Sequence, residues 1–294
     1  MNYSAEIILD SIAPNGQRLT TMLLRYPRFI HSEFMTHRWK SRNAGSSRAQ
    51  PVSRYIDDVS MYPVIPVYWG ATKKGMQAGD EIEHTELAEK IWLDLRDQSV
   101  IAAQKMAGLV YIDKNTGDIV DADHPSAIQL KLHKQIVNRI LEPWAWISVI
   151  CSATGYSNFF NLRCHPDAQP EIQKLANMMK EVYDSSQPNV LAAGDWHIPF
   201  IQEDEQHLDL DLKRKMSVAR CARVSYLNHL GVRDIDKDIE TYEKLLNGSD
   251  VGHWSPFEHV AQAAEELVHS GNFYGFHQFR QMFDGQNLMD EKRI

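Results

Sequence analysis

Cysteine is scarce in this chain, and the few thiols form no pattern that would cross-link it. Cys151, Cys164 and Cys221 are odd in number, lie far apart, and include no CxxC pair. Such cysteines indicate reduced thiols rather than a disulfide framework or a zinc site. The sequence also lacks an HExxH motif and tight His/Cys spacing, although it contains 13 His residues. We therefore expect a cytoplasmic protein without a metal site.

Long apolar runs, targeting signals and an excess of positive charge are missing as well. No apolar run is long enough to span a bilayer, and the N-terminal residues MNYSAEIILD lack a signal-peptide pattern. There is no internal repeat and no low-complexity tract. The formal net charge of -8 argues against a protein that binds duplex nucleic acid, for which a basic domain is typical. The expected partners therefore include neither a membrane nor a nucleic acid.

The sequence does contain ample material for a folded core. Hydrophobic residues make up 43% of the 294 residues, with 7 Trp, 11 Tyr and 10 Phe, which indicates a globular protein. A chain of this length forms one large domain or two smaller ones. Residues 186–216, with Pro, Gly and then an acidic run, are typical of a long connection. Because the segment after them is short, we expect a single domain over residues 1–294.

Strands are predicted near the start of the chain. Residues 5–9 and 19–25 have a strand-like composition and are separated by a turn at 13–16. Pro27 is expected to open a helix that runs toward Arg38, which places the basic stretch at the C-terminal end of that helix and in the loop beyond it. The apolar residues 144–153 fit either a buried strand or the start of an apolar helix, and their periodicity does not decide between the two.

Two longer segments have apolar residues at every fourth position, as helices with one buried face do. In residues 82–108 the recurring residues are Leu87, Ile91 and Leu95. In the segment that begins at Pro125 they are Ile128, Leu132, Ile136 and Ile140. We expect a helix in each segment, with these side chains facing the core. A further helix is expected from Ile172 onward, because Ile172, Leu175, Met179 and Val182 have the spacing of a buried helix face.

The most distinctive stretch of the chain runs from Thr36 to Arg48. Between Phe34 and Ile56 there are five Arg or Lys residues and no Asp or Glu, against the negative charge of the whole chain. Cations mixed with Ser, Asn and Gly donors suit a bound anion such as a phosphate. The competing interpretation is an ordinary solvated basic loop, and composition alone leaves both open.

Four sequence patterns recur together in one enzyme family. They are Thr36-His37-Arg38 with Ser46 after seven residues, Asn161-Leu162-Arg163 with Ala168-Gln169-Pro170-Glu171-Ile172, Ala222-Arg223-Val224-Ser225, and the run from His253 to His259. Together they resemble the flavin-dependent thymidylate synthases. The marks of that family are Arg-His-Arg with a Ser after seven residues, Asn-Leu-Arg with Ala-Gln-x-Glu-Ile, Ala-Arg-Val-Ser, and His-x-Thr/Ser-Pro-Phe-Glu-His. One such match is weak, whereas four together are specific.

The order of the four patterns differs from that of the usual family member, in which the last two precede the first. We infer a circular permutation with 186–216 as the new connection, which costs little when the original termini lie close together on the surface. The resemblance covers residues 25–55, 126–185 and 217–260, and leaves 57–125 and the C-terminal tail unaccounted for. The fold that it implies is mixed α/β (α+β), a mainly antiparallel sheet flanked by helices with the family topology permuted.

The resemblance implies chemistry on a pyrimidine nucleotide. Such enzymes transfer a one-carbon unit from methylenetetrahydrofolate to C5 of dUMP, with FAD as the cofactor and NADPH as the reductant, and produce dTMP. No cysteine nucleophile is required, because the flavin carries the redox step. The family forms homotetramers with sites shared between chains. We therefore expect FAD, NADPH, methylenetetrahydrofolate and dUMP as ligands and a homotetramer as the assembly.

The family's site residues, carried over by position, form two sets. In the substrate set Arg163 is the expected catalytic residue, which stabilises negative charge on the uracil ring, and two arginines hold the phosphate. This set comprises Glu33, Ser46, Ser47, Arg48, Arg139 and Arg163. The cofactor set, expected to contact FAD, comprises His37, Arg38, Asn43, Ser152, Thr154, Asn158, His253 and Ser255. No His/Asp relay accompanies Ser46, so a hydrogen bond to the nucleotide is expected instead of nucleophilic attack.

Four positions depart from the family pattern. Thr36 replaces the first Arg of the signature, Ala44 stands at a usual Glu, Glu33 at a usual Gln, and Asp167 where His is common. A carboxylate at Glu33 could accept a hydrogen bond from an exocyclic amine, which makes a cytosine nucleotide a second candidate acceptor. The departures also leave two different activities open. The protein could be a hydroxymethylating relative, in which water instead of hydride completes the reaction. It could also be a binding protein that keeps the anion site but has lost catalysis.

Overall fold

The structure is a computed structural model that describes residues 3–226, 233–248, 252–283 and 285–286. Its strands, in chain order, are β1 (Ser4–Ile12), β2 (Arg18–Pro27), β3 (Ser41–Ala44), β4 (Tyr111–Asp113), β5 (Ile119–Val120), β6 (Ala127–Ile128), β7 (Trp146–Ala153), β8 (Asn189–Val190), β9 (Trp196–His197), β10 (Ala261–Ala263), β11 (His269–Ser270), β12 (Phe273–Tyr274) and β13 (Phe276–Gln278). Its α-helices are α1 (His31–Met35), α2 (Val52–Met61), α3 (Thr85–Ala107), α4 (Lys134–Val137), α5 (Ser157–Arg163), α6 (Pro170–Ser185), α7 (Leu210–Ala222) and α8 (Ile235–Asn247). Within these ranges no helix is both long and apolar enough to cross a membrane.

The centre of the molecule is a five-stranded sheet in the order β3-β7-β2-β1-β8. β2 and β7 lie in the middle and pair antiparallel from Thr20 opposite Ala153 to Pro27 opposite Trp146. The short pairing of β1 with β8 is parallel, whereas the other pairings in this sheet are antiparallel. Residues 144–153, for which the sequence left strand and helix open, contain β7. The expected class, a mixed fold with mainly antiparallel sheets flanked by helices, is confirmed.

Helices cover both faces of the central sheet, which explains why β7 is apolar along nearly its whole length. On one face α6 contributes Ile172, Leu175 and Met179, each fully buried, and this confirms the helix predicted there. On the other face Cys221 of α7 packs against Ile150 of β7. Both residues are completely removed from solvent. The sheet therefore forms the middle layer of the protein, and its edge at β3 is where the basic stretch lies.

α3 confirms the predicted long helix, but the prediction of its buried face was wrong. The exposed residues are Leu87, Ile91 and Leu95, at 55%, 53% and 48% of their full accessible surface. The helix packs instead through Trp92 and Ala103 against the second core cluster, which includes Trp144. The indole nitrogen of Trp144 donates a hydrogen bond to the backbone oxygen of Trp92 at 3.1 Å. Because α3 is apolar on more than one side, packing of the two indoles decides which side is buried.

The helix predicted to begin at Pro125 was also wrong for most of its length. Residues Ala127–Ile128 form β6, which pairs antiparallel with β4, and α4 begins only at Lys134. His133 precedes it, and its side chain accepts a hydrogen bond from the backbone nitrogen of Gln135. Ile136, expected in the core, is 49% exposed. Cross-strand pairing overrides the helical periodicity here, because propensity is a weak signal where tertiary contacts compete with it.

Residues 186–216 hold short elements rather than an extended connection alone, namely β8, β9, a 3-10 helix at Glu203–Glu205 and the start of α7. A buried ion-pair network fastens this segment. Arg220 of α7 contacts Glu205 at 2.6 Å and Asp238 of α8 at 3.0 Å, and Arg223 pairs with the same aspartate. Breaking such a network leaves a buried charge unpaired, which costs several kcal/mol. The circular permutation itself stays a prediction.

Candidate functional site

The basic stretch wraps around the exposed edge of the central sheet. α1 leads through Thr36 to Lys40 into β3, which pairs with β7 from Ser41 opposite Ser152 to Ala44 opposite Val149. Strands rise about 3.3 Å per residue, so the two ends of β3 are about 10 Å apart. Cationic residues lie at both ends. The stretch therefore places cations in two regions along one sheet edge instead of in one loop.

Three of the residues expected in the site meet near the first of these ends. Arg163, the last residue of α5, forms an ion pair with Glu33 of α1. Its Nε atom also donates a hydrogen bond to Nε2 of His37 at 2.9 Å. Arg163 and Glu33 keep 20% and 25% of their side-chain surface exposed, so the pair is accessible to a ligand. The two helices thus bring together a cation, a carboxylate and an imidazole that are far apart in the sequence.

His37 is neutral at physiological pH in this arrangement. Burial, followed by the positive charges of Lys40, Arg163 and Arg42, lowers the pKa of His37 to about 4. Its Nε2 atom accepts the hydrogen bond from Arg163, so the proton of the neutral ring resides on Nδ1. His37 can therefore orient the guanidinium of Arg163 without adding a charge to the site.

A cavity of about 580 Å³ opens beside His37. Its wall includes four of the residues expected to contact the cofactor, namely His37, Arg38, Thr154 and Asn158. The rest of the lining consists of Gln17, Thr36, Trp39, Lys40, Gly155, Ser157, Phe159, Asn272 and Tyr274. This set contains cations, hydroxyls, amides and aromatic rings, and no Asp or Glu. Such a wall complements an anionic ligand that carries planar rings.

Lys40 has the most unusual environment of the cavity residues. Its side chain is 2% exposed, and its Nζ atom lies 3.0 Å from the centre of the Phe159 ring. The rings of Phe34 and Tyr156 follow at 4.9 Å and 5.2 Å. Within the described residues Nζ has no hydrogen-bond partner. Burial, opposed by Cys151 and assisted by nearby arginines, lowers the pKa of Lys40 to about 7.

An aromatic group stands at the cavity beside this lysine. Trp39 and Tyr274 both line the cavity, and their ring centres are 5.5 Å apart. His269 stacks on Tyr274 at 4.7 Å with an angle of 12° between the ring planes. Trp39 is 53% exposed and Tyr274 38% exposed, which is high for side chains of this size. Exposed rings next to a cavity provide a surface on which a planar heterocycle can stack.

A second cluster forms where β3 ends, and it contains the residues expected to hold the nucleotide phosphate. The hydroxyl of Ser47 donates to Oε1 of Glu142 at 2.8 Å, and Arg139 reaches the same oxygen at 3.0 Å. Arg28, which was not expected in the site, pairs with Glu142 at 3.0 Å as well. Arg48 is exposed next to this group. Two arginines share one carboxylate here, so the cluster retains positive charge for an anion.

Three other residues expected to contact the cofactor lie outside the wall of the 580 Å³ cavity. Asn43 of β3 donates a hydrogen bond to the backbone oxygen of Cys221 at 2.8 Å and accepts one from Ser255 at 3.3 Å. Ser152 is fully buried and hydrogen bonds to Thr21 at 2.6 Å. None of Asn43, Ser152 and Ser255 lines the 580 Å³ cavity described above.

His253, the last of the expected residues, is exposed, and its backbone nitrogen donates to the oxygen of Leu245 at 2.7 Å. Ser46 lies in the turn after β3, where its hydroxyl accepts a hydrogen bond from the backbone of Arg48 at 3.3 Å. The structure thus brings Glu33, His37 and Arg163 together and leaves His253 and Ser46 apart from them.

A larger cavity of about 1510 Å³ adjoins the Glu33–Arg163 pair on its other side. Its wall combines both of these residues with the start of α6 and with residues of the segment 67–80. That segment belongs to 57–125, which the resemblance does not cover. The amide of Val67 donates to the carboxylate of Glu171 at 3.0 Å, which ties the segment to α6. The pair therefore faces open volume on which a substrate ring can lie.

The chemistry available to these groups is charge stabilisation rather than nucleophilic attack. Cys151 and Cys221 are fully buried, Cys164 is half-buried next to Arg163 in the chain, and burial raises the pKa of all three thiols. The accessible groups are guanidinium, amide and hydroxyl donors together with a neutral imidazole. Such groups bind anions and stabilise negative charge that develops on a substrate.

Sequence reasoning missed several residues of this site, above all Lys40, Trp39, Tyr274 and Arg28. Lys40 and Trp39 lie within the basic stretch, but only burial against Phe159 distinguishes Lys40 from the other cations. Tyr274 comes from the C-terminal part of the chain, which no motif covers. The one signal in the sequence was the density of aromatic residues around Tyr274, and it does not point to a particular cavity.

Comparison with known proteins adds little to this geometry. No family model matches the chain, and no curated protein sequence is similar enough to count as a match. Among solved structures, the crystal structure of a UMP/dUMP methylase PolB from Streptomyces cacaoi bound with 5-Br dUMP is similar at 16% sequence identity and a TM-score of 0.38. That likeness covers 56% of this chain and 66% of the other, just under two thirds of its length. It is too distant to carry a functional argument.

Proposed function

We propose that this protein is a flavin-dependent methyltransferase that transfers a one-carbon unit from methylenetetrahydrofolate to C5 of dUMP, with FAD and NADPH, and produces dTMP. The observation that carries the proposal is the meeting of Glu33, His37 and Arg163, of which His37 lines a cavity whose wall has no acidic side chain. His37 and Arg163 come from two of the sequence patterns that resemble the flavin-dependent thymidylate synthases. Their proximity is what a shared site requires.

FAD fits the residues of the 580 Å³ cavity. An anionic cofactor would neutralise the positive charge of a cavity wall that contains no carboxylate. Its planar rings could stack on Trp39 and Tyr274. Arg38 would pair with the phosphates, and Thr154 and Asn158 would donate hydrogen bonds. When bound, FAD supplies the hydride chemistry that no side chain of the site can perform. His37 would hold Arg163 at the boundary between cofactor and substrate.

Arg163 is the proposed catalytic residue. A guanidinium against the uracil ring stabilises the negative charge that develops when C5 is activated, and the neutral His37 keeps its Nε atom oriented. Glu33 fixes the other side of the guanidinium through the ion pair. Positioning by two partners matters because a displaced donor loses most of its effect on the transition state.

The cluster at the end of β3 would bind the phosphate of the nucleotide. Arg139 and Arg48 are the proposed charged ligands, and Ser46 and Ser47 the hydroxyl donors. Glu142 shares its carboxylate between Arg139 and Arg28, so it holds the arginines in place before the anion arrives. In this scheme the nucleotide lies along β3, with its phosphate at one end and its base toward Arg163.

The decisive experiment is product analysis by mass spectrometry after incubation with dUMP or dCMP, methylenetetrahydrofolate, FAD and NADPH. We expect the purified protein to show flavin absorbance. We expect the mass of the product to correspond to dUMP in which a methyl group replaces one hydrogen. A hydroxymethyl product would select the hydroxymethylating activity, and turnover of dCMP in preference to dUMP would select a cytosine nucleotide as the acceptor. If the protein binds neither FAD nor any pyrimidine nucleotide, the proposal fails.

A matched pair of variants connects the activity to the site. Arg163→Gln removes the proposed charge stabilisation and is expected to lower kcat/KM by roughly 100-fold to 1000-fold. Arg54→Gln is the control, because Arg54 belongs to the same basic stretch but is exposed on α2. Equal losses in the two variants would show that Arg163 has no special role. The proposed homotetramer is tested separately, by light scattering on the purified protein.

A further inference from the structure

The amine of Lys40 is buried, and no group of the described residues forms a hydrogen bond with it. Moving an ammonium out of water is costly even after the protein relaxes. A cation over an aromatic ring recovers only part of that cost. The rings of Phe159, Phe34 and Tyr156 therefore do not offset the burial of Lys40 by themselves. Something that is not part of the described chain must complete the site if the charged form is to be stable.

The ionisable groups that surround Lys40 cannot complete it. Arg42 of β3 and Arg163 of α5 are cations that oppose its positive charge, and His37 is a neutral ring. Cys151 of β7 is a buried thiol whose pKa is raised by burial, so it is protonated, and the hydroxyl of Tyr156 has its pKa raised in the same way. None of these groups carries a negative charge at neutral pH. Among the described residues, therefore, no group supplies a counter-charge to the ammonium of Lys40, whereas a bound anion would supply one.

The cavity next to Lys40 is suited to deliver that charge. Lys40 shares the wall of the 580 Å³ cavity with Arg38, Thr154 and Asn158, and the wall has no acidic residue. Thr36, in place of the first Arg of the signature pattern, lines the same cavity. The cavity wall therefore contains two cations, Arg38 and Lys40. Lys40 provides a positive charge at a different position from the Arg that Thr36 replaces.

We propose that Lys40 is a ligand-binding residue of this cavity and that its ammonium binds a phosphate or diphosphate group of the nucleotide cofactor. This inference rests on the proposed function, since FAD is the cofactor in question. Lys40 is mostly neutral at pH 8 in the ligand-free protein, because burial lowers its pKa to about 7. A bound anion raises that pKa again, so ligand binding takes up a proton. Proton uptake on binding distinguishes a ligand-binding lysine from one that only packs.

The test is isothermal titration calorimetry at pH 8 in phosphate-free buffers that differ in their enthalpy of ionisation. The probes are FAD and inorganic diphosphate, and the proteins are the wild type, Lys40→Met and Lys90→Met. Methionine keeps the length of the side chain and suits the aromatic surroundings. Lys90 is the matched control, because its side chain is 73% exposed on α3 and only pairs with Asp94.

The wild type and Lys90→Met are expected to bind both probes and to take up close to one proton when FAD binds. Inorganic diphosphate itself titrates in this pH range, so its binding is compared by affinity alone. Lys40→Met is expected to bind both probes about 10-fold to 100-fold more weakly, and to bind FAD without proton uptake, because a hydrogen bond to a charged group is lost. Wild-type binding of FAD without proton uptake, or equal affinity of Lys40→Met and wild type, would overturn the inference. If Lys40→Met does not fold, the buffer dependence measured with the wild type decides alone.

The two probes separate this inference from the proposed function. If FAD does not bind but diphosphate does so in a Lys40-dependent way, the proposed function fails and the role of Lys40 stands. If FAD binds equally well to the wild type and to Lys40→Met, the proposed function stands and the role of Lys40 fails. If neither probe binds the wild type, both fail.

Discussion

Replacement of Lys40 by methionine should stabilise the ligand-free protein, although it removes a side chain from the centre of the site. The perturbation replaces a buried amine by an apolar group of similar length inside a ring of aromatic side chains. A functional group held at the expense of stability is a common feature of binding sites. The effect on stability is therefore expected to have the opposite sign to the effect on binding.

The size of the effect follows from the pKa of Lys40, which burial lowers from 10.5 to about 7. One unit corresponds to about 1.4 kcal/mol, so the charged form is disfavoured in the folded state by at most about 5 kcal/mol. We expect Lys40→Met to raise the free energy of unfolding by about 3 to 5 kcal/mol at pH 6.

The pH dependence provides the sharper signature. Below pH 7 Lys40 is protonated in both states, and the folded wild type bears the whole penalty. Between pH 7 and 10.5 the unfolded chain binds more protons than the folded chain at this position, so wild-type stability rises with pH. Methionine does not titrate. The advantage of the variant should therefore shrink to about 2 kcal/mol at pH 9 and vanish near the ordinary pKa of lysine.

Urea unfolding of both proteins at pH 6, 8 and 9, followed by circular dichroism, measures this difference. The difference between variants is informative because titrating groups far from Lys40 contribute equally to both proteins. His37, whose pKa Lys40 helps to lower, is neutral in both states at pH 8 and 9, so the comparison of these two pH values reports Lys40 itself. Lys90→Met, altered on the exposed face of α3, should show no pH-dependent difference from the wild type. A destabilised Lys40→Met at every pH, or a gain that does not change with pH, would refute the assignment of Lys40 as a buried, unpaired amine.

Three further predictions concern different parts of the molecule. Asp238→Ala should lower the free energy of unfolding by about 3 to 5 kcal/mol, because it leaves two buried guanidinium groups without their shared partner. The exposed Asp236 on the same helix serves as the control in urea unfolding, and an equal loss in its alanine variant would contradict the network. Trp39→Ala should weaken FAD binding by about 1 to 3 kcal/mol in calorimetry. Unchanged affinity would show that FAD does not stack on Trp39. Arg139→Gln should raise KM for dUMP with little change in kcat, and a loss confined to kcat would place Arg139 elsewhere in the mechanism.

The predictions of secondary structure were correct where local signals and tertiary packing agree. β1 and β2 lie where alternating apolar residues and a turn predicted them, and α6 buries the stripe that its periodicity indicated. They failed where neighbours in space changed the outcome. Ile128 pairs across strands with Ile112 of β4 instead of continuing a helix. Such pairing depends on residues that are distant in the sequence, so no local window contains the information.

Only part of the candidate site was visible in the sequence. Motif positions indicated Glu33, His37 and Arg163, and the structure brings them within contact of one another. The same positions suggested Ser152, which the structure buries in a hydrogen bond to Thr21 outside the cavity wall. Motif spacing identifies residue types, whereas the direction of a side chain on β7 depends on the alternation of its two faces.

By itself the sequence determined the acidic composition, the isolated thiols, the basic stretch and the spacing of the motifs, since these are properties of the chain and not of its packing. Tertiary structure decided which side of α3 is buried and that Glu142 gathers Arg28 and Arg139. It also decided that the amine of Lys40 lies against the Phe159 ring, where no group of the described residues forms a hydrogen bond with it. The physical reason is that burial and electrostatic environment are sums over neighbours in space. The same lysine on a solvated loop would be an ordinary cation, and in this fold it is the residue that most clearly calls for a ligand.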